Sequence, residues 1–322
     1  MAGQVWMTSA DGGYLANAKL SRTLRTASQP MMKFRQFTRL EKAIGKNKGD
    51  TVDFNKVSNI QTAGGTISET TRIPESKILI RRGTLVMEEY GNSIPYTGKL
   101  EALSEFSVDN IITVALRNDM AKVMDQVVAT EMKTTDVSYT PTSASAGTWD
   151  VDGTVTTTAT ANLGVFHVKE VIDGMKVGLF GSGNTSNPVP PYDGENYVCI
   201  ASVKALRGIK DDPDWEEVVK YADPERLLTG EVGRFYSTRF IESNHTSSLS
   251  NGVGTSSVLG EALFFGEDPI IEAVAIPEEI RAKIPGDYGR DKGIAWYGLV
   301  GFERVWDFTT DAEEHIVRIA SA

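Results

Sequence analysis

The chain has 322 residues, 40% of them hydrophobic and 24% charged, and a formal net charge of −10. This balance is typical of a globular chain, and no apolar run approaches the ~18 residues that a membrane-spanning helix needs. The acidic charge argues against binding nucleic acid by bulk charge, because phosphate binding needs a basic surface. With Cys199 as the single cysteine, an intrachain disulfide is excluded. The first residues lack the basic start and apolar core of a signal peptide, so we expect a reducing compartment.

Residues 1–49 are predicted to form an arm rather than part of a core. The segment is polar, with a short helix candidate from Tyr14 to Leu24, and it carries nine Lys or Arg against Asp11 and Glu41. Basic arms bind either nucleic acid or an acidic protein surface. Because the rest of the chain is acidic, an acidic surface on a sister subunit is the favoured partner.

Residues 50–97 follow the period of a β-strand. The segment 51–57 places Val52 and Phe54 on one face, and the run 77–87 is long enough for a second strand. The intervening residues 58–76 are polar and rich in turn formers. This pattern predicts an extended two-stranded loop, which is marginal in water and should lie against another surface. An ordinary hairpin packed on its own domain is the alternative.

The strongest helical signal lies in residues 98–133. Apolar residues recur at helical spacing, Ser107 is a suitable N-cap, and Asp109 in the first turn suits the helix dipole. A helix from Ser107 to about Lys133 would be about 40 Å long. A core-facing stripe explains the apolar residues, and the length indicates a structural spine.

Residues 134–164 contain ten threonines and are predicted to form a β-rich insertion or a surface loop. Asp150 to Gly153 faintly resembles the start of a calcium loop. A calcium site is disfavoured because Ala161 and Asn162 stand where the bidentate acid should follow.

A mixed α/β block is predicted for residues 165–322. Its predicted helices are Val168–Leu179, one beginning after Ser202, and Asp214–Tyr221. Its predicted strands are Tyr197–Ala201, the run 240–242, Ile270–Ile276, Ile294–Trp306 and His315–Ile319, with a loop over Asn244–Thr255.

The sequence contains no recognisable catalytic constellation. His167, His245 and His315 lie far apart, and no nucleophile elbow or phosphate-binding glycine loop occurs. The adjacent acid pairs Glu216–Glu217, Glu278–Glu279 and Glu313–Glu314 are interpreted as solvated surface. The aromatic run that begins at Trp296 is interpreted as sheet packing rather than a stacking platform. We therefore predict no catalytic residue, metal ligand or cofactor, and an enzyme is disfavoured.

The order of arm, extended loop, long helix and α/β block resembles the Hong Kong 97-type major capsid protein of tailed double-stranded DNA phages. Two stretches carry a closer resemblance, to the branch named after the coat of phage N-four. They are Gly230-Glu231-Val232-Gly233-Arg234-Phe235 with Thr238-Arg239-Phe240-Ile241-Glu242, and Gly266–Pro269 continuing through Pro285–Gly293 to Trp296-Tyr297-Gly298 and Gly301-Phe302. The architectural resemblance covers residues 31–322, with the weakest match over 134–164.

The resemblance implies an α+β chain with a Hong Kong 97-like capsid fold. The implied parts are an N-terminal arm (1–49), an extended loop with its return to a peripheral domain (50–97), a spine helix (98–133), a threonine-rich insertion (134–164), an axial domain (165–293) and C-terminal strands returning to the sheets (294–322). The implied contacts between subunits are Arg22, Arg25, Arg35, Arg39, Ile73, Glu75, Arg81, Arg82, Glu231, Arg234, Asp287 and Arg290.

The implied function is that of a major capsid protein, assembling into hexamers and pentamers of an icosahedral head in the host cytoplasm and residing in the virion. The implied partners are identical subunits, a portal, a decoration protein and double-stranded DNA held without sequence specificity, with no membrane. A separate scaffolding protein is expected, because the 49 residues before the loop are too few for a scaffolding domain. No covalent Lys–Asn cross-link is expected. The alternative is a decoration or receptor-binding protein, which should be a β-sandwich without a long helix.

Overall fold

Two sheets, a two-stranded ribbon and one long helix dominate the fold. The structure is a computed structural model that describes residues 30, 32–41, 49–57, 65–70, 72–73, 75, 78–181, 183–215, 231–252, 254–255 and 260–319. The strands are β1 (Thr38–Leu40), β2 (Thr51–Val57), β3 (Ile80–Val86), β4 (Glu88–Thr97), β5 (Ser138–Ser143), β6 (Ala146–Asp150), β7 (Tyr197–Ser202), β8 (Glu231–Phe235), β9 (Thr238–Ser243), β10 (Ala262–Phe265), β11 (Ile270–Ala282), β12 (Asp291–Arg304) and β13 (Ile316–Ile319). The helices are α1 (Gly98–Leu103), α2 (Val108–Lys133), α3 (Val165–Val177), α4 (Arg207–Lys210) and α5 (Phe308–Asp311). The predicted α+β class is confirmed.

Helix α2 confirms the predicted long helix. The Ser107 hydroxyl caps it by accepting a hydrogen bond from the Asn110 amide at 3.4 Å, and Asp109 lies in the first turn. The shorter helix α1 precedes it, with Thr97 as its N-cap. Residues 104–107 separate the two helices, so the segment 98–133 is not one continuous spine.

A four-stranded sheet has the order β1-β11-β12-β4. Strands β11 and β12 form a long antiparallel hairpin that pairs Ile270 with Arg304 and Ala282 with Ile294, and β1 pairs in parallel with β11. The predicted boundary between residues 293 and 294 falls inside β12. Strand pairing therefore assigns residues 270–282 to the same sheet as β12 and β4, because the hairpin register joins them along their whole length.

The threonine-rich segment contributes two strands to a seven-stranded sheet, whose order is β6-β5-β13-β10-β7-β9-β8. The β-rich expectation for this segment is confirmed, and a surface loop does not describe residues 138–150. Trp149 of β6 packs against Tyr139 and Phe180 with ring centroids 4.8 and 5.4 Å apart. An aromatic anchor thus fixes the edge of the sheet.

Strand β7 is buried on both faces. Helix α2 packs on one of these faces, between the seven-stranded and the four-stranded sheet. Cys199 and Ala201 point into a core shared with α3, whereas Val198 and Ile200 point into a core shared with α2 and β12. Side chains alternate along a strand, so the two faces of one sheet close two separate cores. Helix α2 shares its core with both sheets.

Two predicted helices differ from the structure or fall outside it. Residues 203–206 form a turn, and helix α4 begins only at Arg207, after the Ser202 hydroxyl has bonded the Ala205 amide at 3.4 Å. Most of the predicted helix Asp214–Tyr221, and all of Tyr14–Leu24, lie outside the described residues.

Candidate functional site

The ribbon is the hairpin formed by β2 and β3. Its paired part, which we call the ribbon root, packs on the four-stranded sheet. Strands β2 and β3 pair from Thr51↔Val86 to Val57↔Ile80. The inward side chains Val52, Phe54 and Leu85 pack against Ile271, Ala273 and Leu299. Gly301 of β12 permits this approach, since a Cβ there would lie 2.3 Å from Leu85 Cδ2 and 2.5 Å from the Val86 carbonyl. The packing of the ribbon root on this sheet therefore depends on glycine at position 301, which has no side chain.

An ion-pair cluster also holds the ribbon root. Asp311 of α5 accepts hydrogen bonds from Lys56 of β2 and from Arg81 of β3, the latter at 3.4 Å. The Asp311 side chain is only 1% exposed, and Lys56 Nζ lies 6.0 Å from the Trp306 ring centroid. Arg81, predicted to contact another subunit, is thus engaged within its own chain. Asp311 was missed because nothing in the sequence links it to residues 56 and 81.

The distal part of the ribbon is exposed throughout its described length. Every described residue from 65 to 80 is exposed, and we call this set the ribbon surface. Its large apolar side chains, with their exposed fractions, are Ile67 (44%), Ile73 (70%), Ile78 (60%), Leu79 (50%) and Ile80 (64%). Contiguous exposed apolar residues mark an interaction surface. The extended two-stranded loop is confirmed, and the alternative of a hairpin packed entirely on its own domain does not hold for this part.

Two predicted contact residues on or beside the ribbon surface lie in the open. Glu75 pairs with Arg72, and both side chains are more than three-quarters exposed. Arg82 pairs with Asp53 at 2.8 Å on the outer face of the ribbon, with 66% of its side chain exposed. Exposed pairs of this kind contribute little to folding, so these charges remain accessible to a partner.

The described part of the arm is bound to its own chain. Phe34 and Phe37 are buried, Arg35 contacts Glu272 and Glu278 at 2.7 Å each, and Arg39 pairs with Asp268. Burial lowers the pKa of Arg35, but hydrogen bonding to the two carboxylates outweighs it and raises the pKa. The structure therefore places Arg35 and Arg39 against their own sheet. The predicted contacts Arg22 and Arg25 lie outside the described residues.

Arg239 organises the first motif stretch. It contacts Asp193 at 2.8 Å and Glu231 at 3.4 Å, and Glu231 is buried. Burial raises the pKa of Asp193, but hydrogen bonds from Asn196, the Glu195 amide and Arg239 lower it to about 2. Glu231 is thus an internal partner. The sequence motif contained Arg239, but the prediction selected its neighbours.

Arg234, in the same motif, lies at the edge of the cluster. It is about half exposed and 3.6 Å from Glu195. It is therefore the member of this segment that a second molecule can reach.

The tip of the β11–β12 hairpin projects into solvent. Asp287 and Tyr288 have φ of 46° and 52°, a left-handed conformation that is unfavourable for residues other than glycine. Asp287 pairs with Arg290 at 3.4 Å, so these two predicted residues lie together. Ile284 is 89% exposed and Tyr288 fully exposed. Both were missed, although an apolar residue directly before Pro285 and an aromatic one between Gly286 and Gly289 were the available signal.

The interpretation of adjacent acids as solvated surface is wrong for two of the three pairs. Glu314 is 1% exposed and receives a hydrogen bond from Arg304 at 2.7 Å, and the Glu278 side chain is 11% exposed beside Arg35. Burial raises the pKa of Glu314 to about 8 despite Arg304. Glu279 remains about half exposed next to Glu278, whereas Glu313 is also largely covered, with 13% of its side chain exposed beside His315. Glu216 and Glu217 lie outside the described residues.

The aromatic run is sheet packing, as predicted. Trp296 is 1% exposed and donates its indole hydrogen to Asp119 at 2.9 Å, and Phe302 is buried in the α2 core. In the described ranges, no three His, Cys, Asp or Glu side chains cluster closely enough to hold a metal ion. No helix in the described part of the chain is long and apolar enough to cross a membrane.

Comparison with solved structures identifies the fold. The capsid structure of Helicobacter pylori bacteriophage KHP30 matches with a TM-score of 0.66 at 13% identity, covering 99% of this chain and 98% of that one. Cyanophage Pam1 capsid matches with a TM-score of 0.67 at 11% identity over 100% of both chains. The capsid of Ralstonia phage GP4 matches at 0.64 and 13% identity over 95% and 96%. No protein-family model and no curated protein matches the sequence. The chain has the Hong Kong 97-like fold of phage capsid proteins.

Proposed function

We propose that this chain is a major capsid protein, a structural subunit whose copies assemble into the icosahedral head of a tailed phage. The fold likeness covers nearly the whole of this chain and of the capsid chains it matches. No large part of the chain is therefore left over for a different task. The 26-residue helix α2 speaks against the alternative of a decoration or receptor-binding β-sandwich.

The ribbon surface carries the proposal. An isolated subunit would leave its exposed isoleucines and leucine in water, at a cost of roughly 25 cal/mol for each Å² of apolar surface that a partner could cover. Neighbouring copies in a closed shell would cover this surface. Obligate interfaces of this kind bury about 2,000 Å² or more, which is enough to order a ribbon that is marginal alone.

The finer arrangement belongs to the same proposal. Copies form hexamers and pentamers, with residues 1–49 as the arm, 50–97 as the extended loop and its return, and later segments forming the peripheral and axial parts. Ile73, Arg82, Arg234 and Arg290 are the contacts we favour, because their side chains are accessible. Arg22 and Arg25 complete the set as arm contacts.

The remaining partners follow from the role. A separate scaffolding protein guides assembly in the host cytoplasm, a portal occupies one vertex, and a decoration protein is a further candidate partner. Double-stranded DNA fills the shell without sequence-specific binding. The net charge of −10 per chain supports an inner wall to which DNA does not adhere.

Assembly in the presence of the phage's own neighbouring gene products tests the proposal. Negative-stain electron microscopy should show closed shells of uniform diameter when the chain is co-expressed with its scaffolding protein, and aberrant shells or none when it is expressed alone. Ile73→Asp should abolish shells while leaving the unassembled chain folded, because Ile73 is exposed there. Ile73→Val is the matched control and should assemble. A uniform population of small oligomers under every condition would contradict the proposal.

A further inference from the structure

A buried polar cluster joins the base of the arm to α2 and to the loop after β9. Its members are Lys33 and Phe34 of the arm, Asp125 of α2, and His245 and Ser248 of the loop, and each is at most 5% exposed. The Phe34 amide donates to Asp125 Oδ1 at 2.8 Å. Three segments far apart in the sequence thus meet at one carboxylate. No part of the proposed function uses this cluster.

One oxygen of that carboxylate lacks a donor. Asp125 Oδ2 is buried and accepts no hydrogen bond from any described residue. It lies 3.6 Å from His245 Nδ1, which shares a hydrogen bond of 2.6 Å with the Ser248 hydroxyl. A buried acceptor without a donor is costly, so the cluster is incomplete in this state.

Protonation of the His245 imidazole would supply a donor for this oxygen. When Nδ1 of the neutral ring accepts the Ser248 hydroxyl hydrogen, it has no hydrogen to give to Asp125. In the imidazolium both ring nitrogens carry hydrogens, so the Nδ1 hydrogen faces both the Ser248 oxygen, which then accepts, and the Asp125 carboxylate. A positive charge 3.6 Å from a buried carboxylate is also favourable in a medium of low dielectric constant.

We propose that Asp125, His245 and Ser248 form a proton-operated latch that holds the base of the arm on α2 more firmly as pH falls. Asp125 acts as a positioning residue, since it fixes the Phe34 amide and thereby the described base of the arm on α2.

Lys33 is the other titratable group that faces Asp125. Burial lowers the pKa of Lys33, and the carboxylate of Asp125 opposes that effect. Burial likewise raises the pKa of Asp125, against hydrogen bonds from the Phe34 and Lys33 amides and against the attraction of the His245 ring when it is charged. The Lys33 side chain belongs to the arm itself and, when charged, attracts the Asp125 carboxylate. His245 is the member of the cluster whose residue type normally titrates between about pH 5 and pH 8.

Hydrogen exchange in the unassembled full chain tests the latch. After correction for intrinsic rates, exchange of the Phe34 amide should slow about tenfold as pH falls from about 8 to about 5.5, because local opening becomes less frequent. His245→Gln should remove this pH response, since the amide does not titrate. Gln126→Ala, an exposed change one residue along α2 from Asp125, is the matched control and should keep it.

Two results would overturn the latch. One is faster Phe34 exchange in acid, which would mean that the proton goes to Asp125 and releases the arm. The other is an unchanged pH response in His245→Gln. Should that variant not fold, an NMR titration of the wild-type chain decides, because the His245 ring and the Phe34 amide must then titrate with one midpoint.

The latch does not rest on the proposed function, so the two can fail separately. If shells never form but Phe34 exchange follows His245, the proposed function fails and the latch stands. If shells form and Phe34 exchange does not depend on His245, the proposed function stands and the latch fails.

Discussion

Strand β7 and the ribbon are both rich in apolar residues, yet the molecule treats them in opposite ways. Each β7 residue from Tyr197 to Ala201 is at most 2% exposed, whereas Ile73 on the ribbon surface is 70% exposed. The difference lies in what the chain places on either side. Two layers cover β7, and the described chain places nothing over the ribbon surface. One region is completed within the subunit, and the other is left uncovered by the described chain.

Truncation inside the seven-stranded sheet should have the largest effect on the folded subunit. Phe240→Ala removes a fully buried ring that packs against Trp215 at 5.2 Å and Phe264 at 6.2 Å. We expect the free energy of unfolding to fall by about 3–5 kcal/mol, the usual cost of such a cavity. Urea denaturation of the unassembled chain measures it. A loss as small as that of a ribbon substitution would erase the contrast between the two regions.

A methyl group where the ribbon root packs on the sheet should have an intermediate effect. Gly301→Ala places a Cβ against Leu85 and the Val86 carbonyl, so the ribbon root must shift. We expect a loss of about 1–3 kcal/mol, typical of overpacking, and faster proteolysis within residues 51–86. Gly65→Ala is the matched control on the ribbon itself, where nothing lies within 4 Å. Equal proteolysis rates in both variants would show that close approach at Gly301 does not fix the ribbon.

The carboxyl group of Glu303 on β12, near Lys56 of the ribbon root, should make stability depend on pH. Burial, reinforced by Glu131, raises the pKa of Glu303 from 4.5 to about 7, against Arg304 and Lys56 of the ribbon root. The folded state therefore binds the proton more tightly than the unfolded state. This stabilisation is present below about pH 4.5 and is lost as pH rises through about 7. Glu303→Gln should flatten that part of the pH profile of unfolding, measured by urea denaturation at fixed ionic strength. A profile identical to wild type would show that Glu303 does not carry the effect.

Substitution on the outer face of the ribbon should have the smallest effect on the lone subunit. Ile80→Thr changes a residue that is 64% exposed and keeps the branched side chain that suits a strand. We expect a change within about 0.5 kcal/mol in the unfolding of the unassembled chain. A large loss would mean that the ribbon surface is stabilised within its own subunit.

Local periodicity explains which elements were predictable. Helix α2 repeats its apolar residues at helical spacing behind the cap Ser107, and β2 alternates Val52 and Phe54 on one face. Each signal lies within a few neighbouring residues, so it can be recognised without knowing the tertiary structure. The exposure of the described residues beyond β2 was also predictable, because the segment 58–76 is mostly polar and rich in turn formers, and Ile67 and Ile73 are its exposed exceptions.

The predictions that were wrong depend on contacts between residues far apart in the sequence. Pairing of β11 with β12 through Ala282 and Ile294 crossed the predicted boundary at residue 293, since strand register is a nonlocal choice. The inward turn of Glu314 depended on Arg304 lying opposite it. The predicted charged contacts stay predictions, and the structure adds that the described ones have partners in their own chain, as Arg35 has in Glu272. A charged residue in a sequence does not reveal whether its partner belongs to the same subunit or to the next.

The sequence by itself determined the elements whose signals are local: a long capped helix, a two-stranded ribbon with a polar tip, a doubly buried strand at Tyr197–Ala201, and the overall resemblance. The tertiary structure decided which strands share a sheet, which carboxylates are buried, and how the arm is anchored at Asp125. The physical reason is the distance along the chain over which each kind of signal acts. Periodicity and capping act over a few residues, whereas strand register and the pairing of buried charges depend on groups that only the folded chain brings together.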